Sequence, residues 1–161
     1  MNPTYERLLN DQNPKDLKKI AQRMRKMKKG VLDGVIHELH DRAFEKIDCL
    51  LCANCCKTTG PLLTQKDIER IAKHFKIKPG AFVEKYLRID EDGDYVFKSM
   101  PCPFLGEDNY CSIYDVRPKA CREYPHTNRK NQQGILKLTQ KNALICPAVA
   151  WIFEGVAITN D

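Results

Sequence analysis

From the N-terminus to about residue 48, apolar positions recur with the roughly 100° step of an α-helix. Over 15–29, Leu17, Ile20, Ala21, Met24 and Met27 share one arc, and Lys18, Lys19, Arg23, Arg25, Lys26 and Lys29 share the opposite one, with Lys28 the exception. The spacing predicts an amphipathic helix that Gly30 ends. A second helix over 31–47 follows, with Leu32, Val35, Ile36, Leu39, Ala43 and Ile47 as its buried face. Thr64 and Asp67 then have the spacing of a capping box, and Leu63 with Ile68 that of a hydrophobic staple. The helix they open is predicted to bury Ile68, Ile71, Ala72 and Phe75. Pro79 suits the first position of a helix running to Leu87. Residues 88–90 and 95–98, joined by 91–94 with Gly93, predict a small hairpin, and 135–139 a further short strand. Pro147 opens a terminal apolar helix over 148–154 that carries Trp151 and Phe153.

These elements predict a mainly α fold (small α+β): a compact, irregular, metal-stapled single domain with short hairpins and an N-terminal helical lead-in. The expected division is a helical extension with the basic amphipathic helix over 1–48 and a cysteine-cluster metal-binding domain over 49–161. A length of 161 residues suits one domain, and 42% hydrophobic with 30% charged residues is globular composition. No apolar run approaches the roughly 20 residues of a membrane helix. The first residues lack a basic start followed by an apolar block, so a secretory leader is not expected and a cytoplasmic location is. The net charge of +6 is concentrated in 15–29, where eight Lys or Arg face Asp16 alone; the rest is close to neutral. A global argument for nucleic-acid binding therefore fails. The basic face reads first as a solvated surface and second as a docking face for an acidic partner, nucleic acid or an anionic membrane surface. No G-x-G or G-x-x-x-x-G-K run is present, which weakens kinase, ATPase and dehydrogenase readings.

Eight cysteines change the picture most. In a reducing compartment, clustered thiols more often hold metal than form disulfides. Cys49, Cys52, Cys55 and Cys56 make a C-x-x-C-x-x-C-C run; a C-x-x-C step lets two thiolates turn onto one metal while backbone amides point at the sulfurs. Adjacent Cys55 and Cys56 diverge, so they suit two neighbouring sites, or two metals of one cluster, better than one tetrahedral ion. With Cys102, Cys111, Cys121 and Cys146 the set divides naturally into two four-thiolate sites, or supplies a single cluster with cysteines to spare, the assignment of each cysteine being open. Cys102-Pro103 and Cys146-Pro147 resemble the remote ligand of a ferredoxin loop. The spacing is not that of radical S-adenosylmethionine enzymes or Cys₂His₂ fingers. His37 and His40, neighbours on one helix, and His74 read as ordinary polar positions; His126 is the best non-cysteine ligand candidate.

The Cys49–Cys56 run, the string CPFLGEDNYCSIYDVRPKACREYP over 102–125 and Cys146-Pro147 resemble the YkgJ-type cysteine-cluster (CxxCxxCC) family, over about residues 49–154. The resemblance implies a zinc- or iron-chelating domain, with a counterpart for all eight cysteines and no assigned reaction in most members. One branch is similar to flagellin lysine N-methylase, which gives S-adenosylmethionine-dependent protein methylation as a further alternative. Within the string, Pro118 is expected to start the helix carrying Cys121. Arg117 either offsets thiolate charge or pairs with Asp115. Tyr114 and Tyr124 are expected as core rings shielding the metal. The leading reading is a cytosolic metalloprotein holding an iron–sulfur centre or zinc, iron–sulfur slightly favoured, with a redox or acidic protein as possible partner. The alternative is a zinc-stapled interaction module that docks through its basic helix.

Overall fold

The helical pattern and the single predicted hairpin become a mainly α structure with one small sheet. The computed structural model describes residues 1–159. In chain order the helices are α1 (Pro3–Asn10), α2 (Pro14–Lys26), α3 (Lys29–Lys46), α4 (Asn54–Thr58), α5 (Gln65–His74), α6 (Pro79–Tyr86), α7 (Lys119–Glu123), α8 (Leu136–Asn142) and α9 (Pro147–Thr159). The strands are β1 (Leu62–Leu63), β2 (Leu87–Ile89) and β3 (Tyr95–Phe97), and 3₁₀ turns cover Cys49–Leu51, Tyr114–Val116 and Gln132–Ile135. The chain forms two compact units: Met1–Cys52 with the segment from Pro125 onward, and Ala53–Tyr124.

In the first unit the N-terminal helices share their core with α8 and α9. Asn2 and Asn13 cap α1 and α2, each accepting from the amide two residues on, and a proline follows each cap. Leu17, Ala21 and Met24 from α2, Leu32, Ile36, Leu39 and Ala43 from α3, and Val149, Ile152, Phe153 and Val156 from α9 are buried together. Gly30 does not end the basic helix. The break falls at extended Met27 and Lys28, and Gly30 lies in the first turn of α3. The Gln133 side chain donates to the carbonyls of Arg25 and Met27, satisfying helix-end groups that a glycine cap would otherwise have served.

The predicted strand over 135–139 is helical instead. Leu136, Thr139 and Asn142 are buried at three-residue spacing, a helical face that so short an apolar run does not distinguish from a strand. The terminal helix is longer than predicted. At its Gly155 a Cβ would stand 2.7 Å from Leu39 Cδ2, so the glycine permits close packing against α3. Gly155→Val is expected to cost about 1–3 kcal/mol through overpacking, read as a lower urea midpoint; an unchanged midpoint would show that Leu39 yields without cost.

In the second unit the predicted hairpin forms, with Leu87 opposite Phe97 and Ile89 opposite Tyr95. β1, which the sequence pattern did not show, pairs on the other edge of β3, giving the antiparallel order β1-β3-β2. Asp90 accepts from the amides of Asp92 and Asp94, and Gly93 takes the left-handed conformation the turn needs (φ +83°). The capping box at Thr64 and Asp67 is formed, and Leu63 and Ile68 are both buried. Ile68, Ile71, Phe82, Leu87, Phe97 and Ile113 surround Phe104, whose ring meets those of Phe75, Phe82, Tyr86 and Phe97 at 5.0–6.3 Å. Phe75 is the exception to the predicted buried face: as the C-cap of α5 it stacks at the margin of this cluster and stays 37% exposed.

Among the described residues no single helix is long and apolar enough to cross a membrane. The stretches Gln132–Asn142 and Pro147–Thr159 pass that test only as a pair bent by 119°, and their Leu136, Ala148, Val149, Ile152, Phe153 and Val156 belong to the first unit's core.

Candidate metal centre

All eight cysteines are thiols outside disulfides. Ala53, in the left-handed region at φ +50°, precedes α4, on which Cys55 and Cys56 are adjacent. In the second unit the amide of Cys102 donates to the Cys56 carbonyl at 2.8 Å, tying the remote C-P cysteine to the C-C pair. The chain then turns, with the Leu105 amide on the Cys102 carbonyl, and returns so that Leu105 bridges Cys111 and Ser112 donates to Phe104. That loop brings Cys102 and Cys111 together. Cys121 follows on α7, which Pro118 caps as expected.

Backbone amides point at several sulfurs. Those of Phe104 and Leu105 reach Cys102 Sγ, and that of Ile113 reaches Cys111 Sγ. This is the arrangement that stabilises a thiolate in a metal knuckle. The four thiols also lie within electrostatic range of one another. Burial first, then the charges of Cys56, Cys102 and Cys111, push Cys121 up to about 12. Burial likewise pushes Cys102 up to about 11, with Cys56 and Cys111 adding to it, and raises Cys111. Cys56 moves the other way, down to about 7, chiefly through a hydrogen bond with Cys55 and against its own burial.

The first unit holds a second group. Asp48 caps the 3₁₀ turn at Cys49, accepting from the Leu50 amide at 2.9 Å, and the buried Cys52 closes that turn. Cys146 precedes α9, and the amides of Ala148 and Val149 reach its sulfur. Burial pushes its thiol up to about 12, and the charges of Cys49 and Cys52 act in the same direction. In the second unit Cys56, Cys102, Cys111 and Cys121 thus lie within electrostatic range of one another, with Cys55 hydrogen-bonded to Cys56, and in the first unit Cys146 lies within range of Cys49 and Cys52. Among the described residues no group of three or more Cys, His, Asp or Glu side chains is placed so that it could hold a metal ion without movement of the side chains.

The Arg117 guanidinium stands 3.8 Å over the Tyr114 ring and donates to the Tyr114 carbonyl at 2.6 Å, and its charge opposes the burial that raises Cys111 and Cys121. Tyr114 is not a core ring. The 3₁₀ turn leaves it 57% exposed beneath the guanidinium, whereas Tyr124 is partly buried. His37 and His40 hydrogen-bond to the Arg129 carbonyl (2.8 Å) and Thr127 Oγ1 (2.7 Å), and the His126 carbonyl accepts from Gln132 Nε2. His74 lies edge-on to Phe75.

The sequence reading missed the support beneath this loop. Asp67, 1% exposed, accepts from the Thr64 amide and hydroxyl, from Arg70 at 2.6 Å and from the Lys119 amide at 3.0 Å. Arg70 in turn donates to the carbonyls of Val116 and Arg117. One ion pair on α5 therefore holds the segment that connects Cys111 to Cys121. The capping box revealed Asp67, but only its local half.

The family model CxxCxxCC, described as "Putative zinc- or iron-chelating domain", matches residues 48–147. The chain is also similar to "Uncharacterized protein MJ0661" of Methanocaldococcus jannaschii, 33% identical over 94 residues, or 56% of this chain and 50% of that protein. The chain spans about half the length of that curated relative. No solved structure matches it.

Proposed function

The chain belongs to the CxxCxxCC family, and from that premise we propose that it binds metal through Cys49, Cys52, Cys55, Cys56, Cys102, Cys111, Cys121 and Cys146, as an iron–sulfur centre in preference to zinc. The observation that carries this reading is the grouping, within each unit, of thiols whose sulfurs face backbone amides. Neutral thiols gain little from such amides; thiolates gain charge-assisted hydrogen bonds. A bound cation supplies what the bare cysteines lack, since a coordinated thiol is deprotonated outright. The all-sulfur donor set suits iron–sulfur centres and zinc alike, and the C-x-x-C-x-x-C step with remote C-P cysteines favours iron. An iron–sulfur centre would carry single electrons, whereas zinc would stabilise the fold.

The test is iron, zinc and acid-labile sulfide per chain on protein purified without oxygen, with its visible spectrum. Iron with matching sulfide and a broad band near ~400 nm is expected. Colourless protein containing zinc would leave metal binding standing and replace the cluster with a structural ion. Metal-free protein with eight titratable thiols would overturn the reading.

A second reading is favoured by α2, where Lys18, Lys19, Arg23, Arg25 and Lys26 are all exposed while Leu17, Ala21 and Met24 are buried. That face would dock an acidic protein or nucleic acid. Binding to a DNA fragment or an acidic peptide should then weaken as salt rises and fall further in a K18E/K19E variant; salt-independent binding, or none, would set this reading aside.

A further inference from the structure

We propose that Ala53–Tyr124 carries a complete four-thiolate metal centre of its own, held by Cys56, Cys102, Cys111 and Cys121, with Arg117 as the cation that offsets its charge. The inference rests on the metal-binding reading and goes beyond it by sorting the cysteines, which the sequence left open. Three backbone features gather the segments that carry these four. The Cys102 amide is bonded to the Cys56 carbonyl at 2.8 Å, so the second residue of the C-C pair, rather than the first, is fixed beside the remote C-P cysteine. The turn after Cys102 and the Leu105–Cys111 bridge bring Cys111 back to Cys102. The third feature is the anchor beneath the 116–119 segment, where Arg70 and Asp67 bind the carbonyls of Val116 and Arg117 and the Lys119 amide. Cys121 follows two residues further on α7, within electrostatic range of the other three thiols of this set. Cys49, Cys52 and Cys146 form a separate group in the other unit.

The charge balance gives Arg117 its role. Four thiolates around a core of charge +2, either a zinc ion or a common iron–sulfur core, leave about −2 in a partly buried place. Stacking on Tyr114 and a bond to the Tyr114 carbonyl fix the Arg117 guanidinium, within electrostatic range of both Cys111 and Cys121, while Lys57 stands in that relation to Cys56. Arg117 acts through the thiolates and is a positioning and charge-balancing residue.

The full-length protein tests this by metal and sulfide content and by spectrum, compared across two variants. The C49S/C52S/C146S variant should keep one centre per chain, whereas C121S should lose that same centre. Loss of all metal from the triple variant, with wild-type content in C121S, would overturn the sorting. Metal-free wild-type protein would instead overturn the underlying reading, so the two failures are distinct. Should either variant fail to fold, alkylation of wild-type protein followed by peptide mapping serves instead. Cys56, Cys102, Cys111 and Cys121 should be protected as one group and released together on chelation; their release at unrelated rates would sink the proposal. For Arg117, R117A should lower metal affinity about tenfold, in the range of ligand-supporting residues, with R117K recovering most of it. Equal losses in both variants would remove charge as its role.

Discussion

Chelating the metal from the reduced protein is expected to abolish hydrogen-exchange protection in Ala53–Tyr124 while α3 keeps its own. The amides to watch are those of Cys102, Leu105 and Ser112, whose partners are the Cys56, Cys102 and Phe104 carbonyls. These bonds shape the cysteine loop. The second unit has a core of only nine buried side chains, gathered around Phe82 and Phe104, beneath three strands of two or three residues each. A unit of that size draws only a few kcal/mol from its core, and a structural thiolate site can contribute about 10 kcal/mol more as binding energy coupled to folding. The first unit differs: its core includes fully buried Leu32, Ile36, Ile152 and Phe153 on long helices. The expected trace is therefore two-phased, with chelator moving only the lower melting transition. A single transition indifferent to chelator would show that the second unit is held by its apolar core alone.

Local rules made much of this molecule legible and stopped where partners are distant in sequence. Leu17, Ala21, Met24, Leu32, Ile36 and Leu39 could be read as buried because a helical stripe repeats every three or four residues and needs no knowledge of what covers it. The Thr64 capping box and the β2–β3 hairpin were legible for the same reason: their partners lie within a few residues. β1 was not, because a two-residue strand has no period and is defined only by Val96 and Tyr95 across from it. The strand expected over 135–139 failed because Ile135, Leu136 and Leu138 satisfy either period, and burial of Leu136, Thr139 and Asn142 decided for the helix. In the same way the cysteines were visible as a candidate metal-binding set, but their grouping depends on backbone bonds such as Cys102 to Cys56, 46 residues apart, which spacing does not encode. Beyond its spacing from Asp67, Arg70 was silent. Its partners at Val116 and Arg117 are carbonyls, and a carbonyl leaves no mark in a sequence.

That silent pair carries the largest single-residue effect we expect. Asp67→Ala should destabilise the protein by about 3 kcal/mol, toward the lower end of the 3–5 kcal/mol typical of breaking a buried ion pair, because the Arg70 side chain remains 30% exposed and can rehydrate. The loss leaves the Lys119 and Thr64 amides without their acceptor, and unsatisfied buried donors account for much of the cost. Asp67→Asn keeps an acceptor but not the charge, and should fall between the two. The pH dependence separates this from a packing defect. Burial pushes the Asp67 carboxyl up, but the bonds from Thr64, Arg70 and Lys119 together outweigh it and hold the group below its ordinary value of 3.8. The unfolded chain therefore binds the proton more readily, and stability rises with pH through this range. Asp67's contribution is complete above about pH 4–5 and is lost as pH falls through the lowered folded value. Urea midpoints measured from pH 6 down to pH 2.5 should decline less steeply in Asp67→Asn than in wild type. The decline that persists would come from groups such as Asp33, whose carboxyl is raised by burial but lowered overall by the Gln132 and Asn131 amides. An identical acid limb in both proteins would mean that Asp67 is not held ionised by Arg70 and Lys119. The 116–119 segment would then need another anchor, and with it the placement of Cys121.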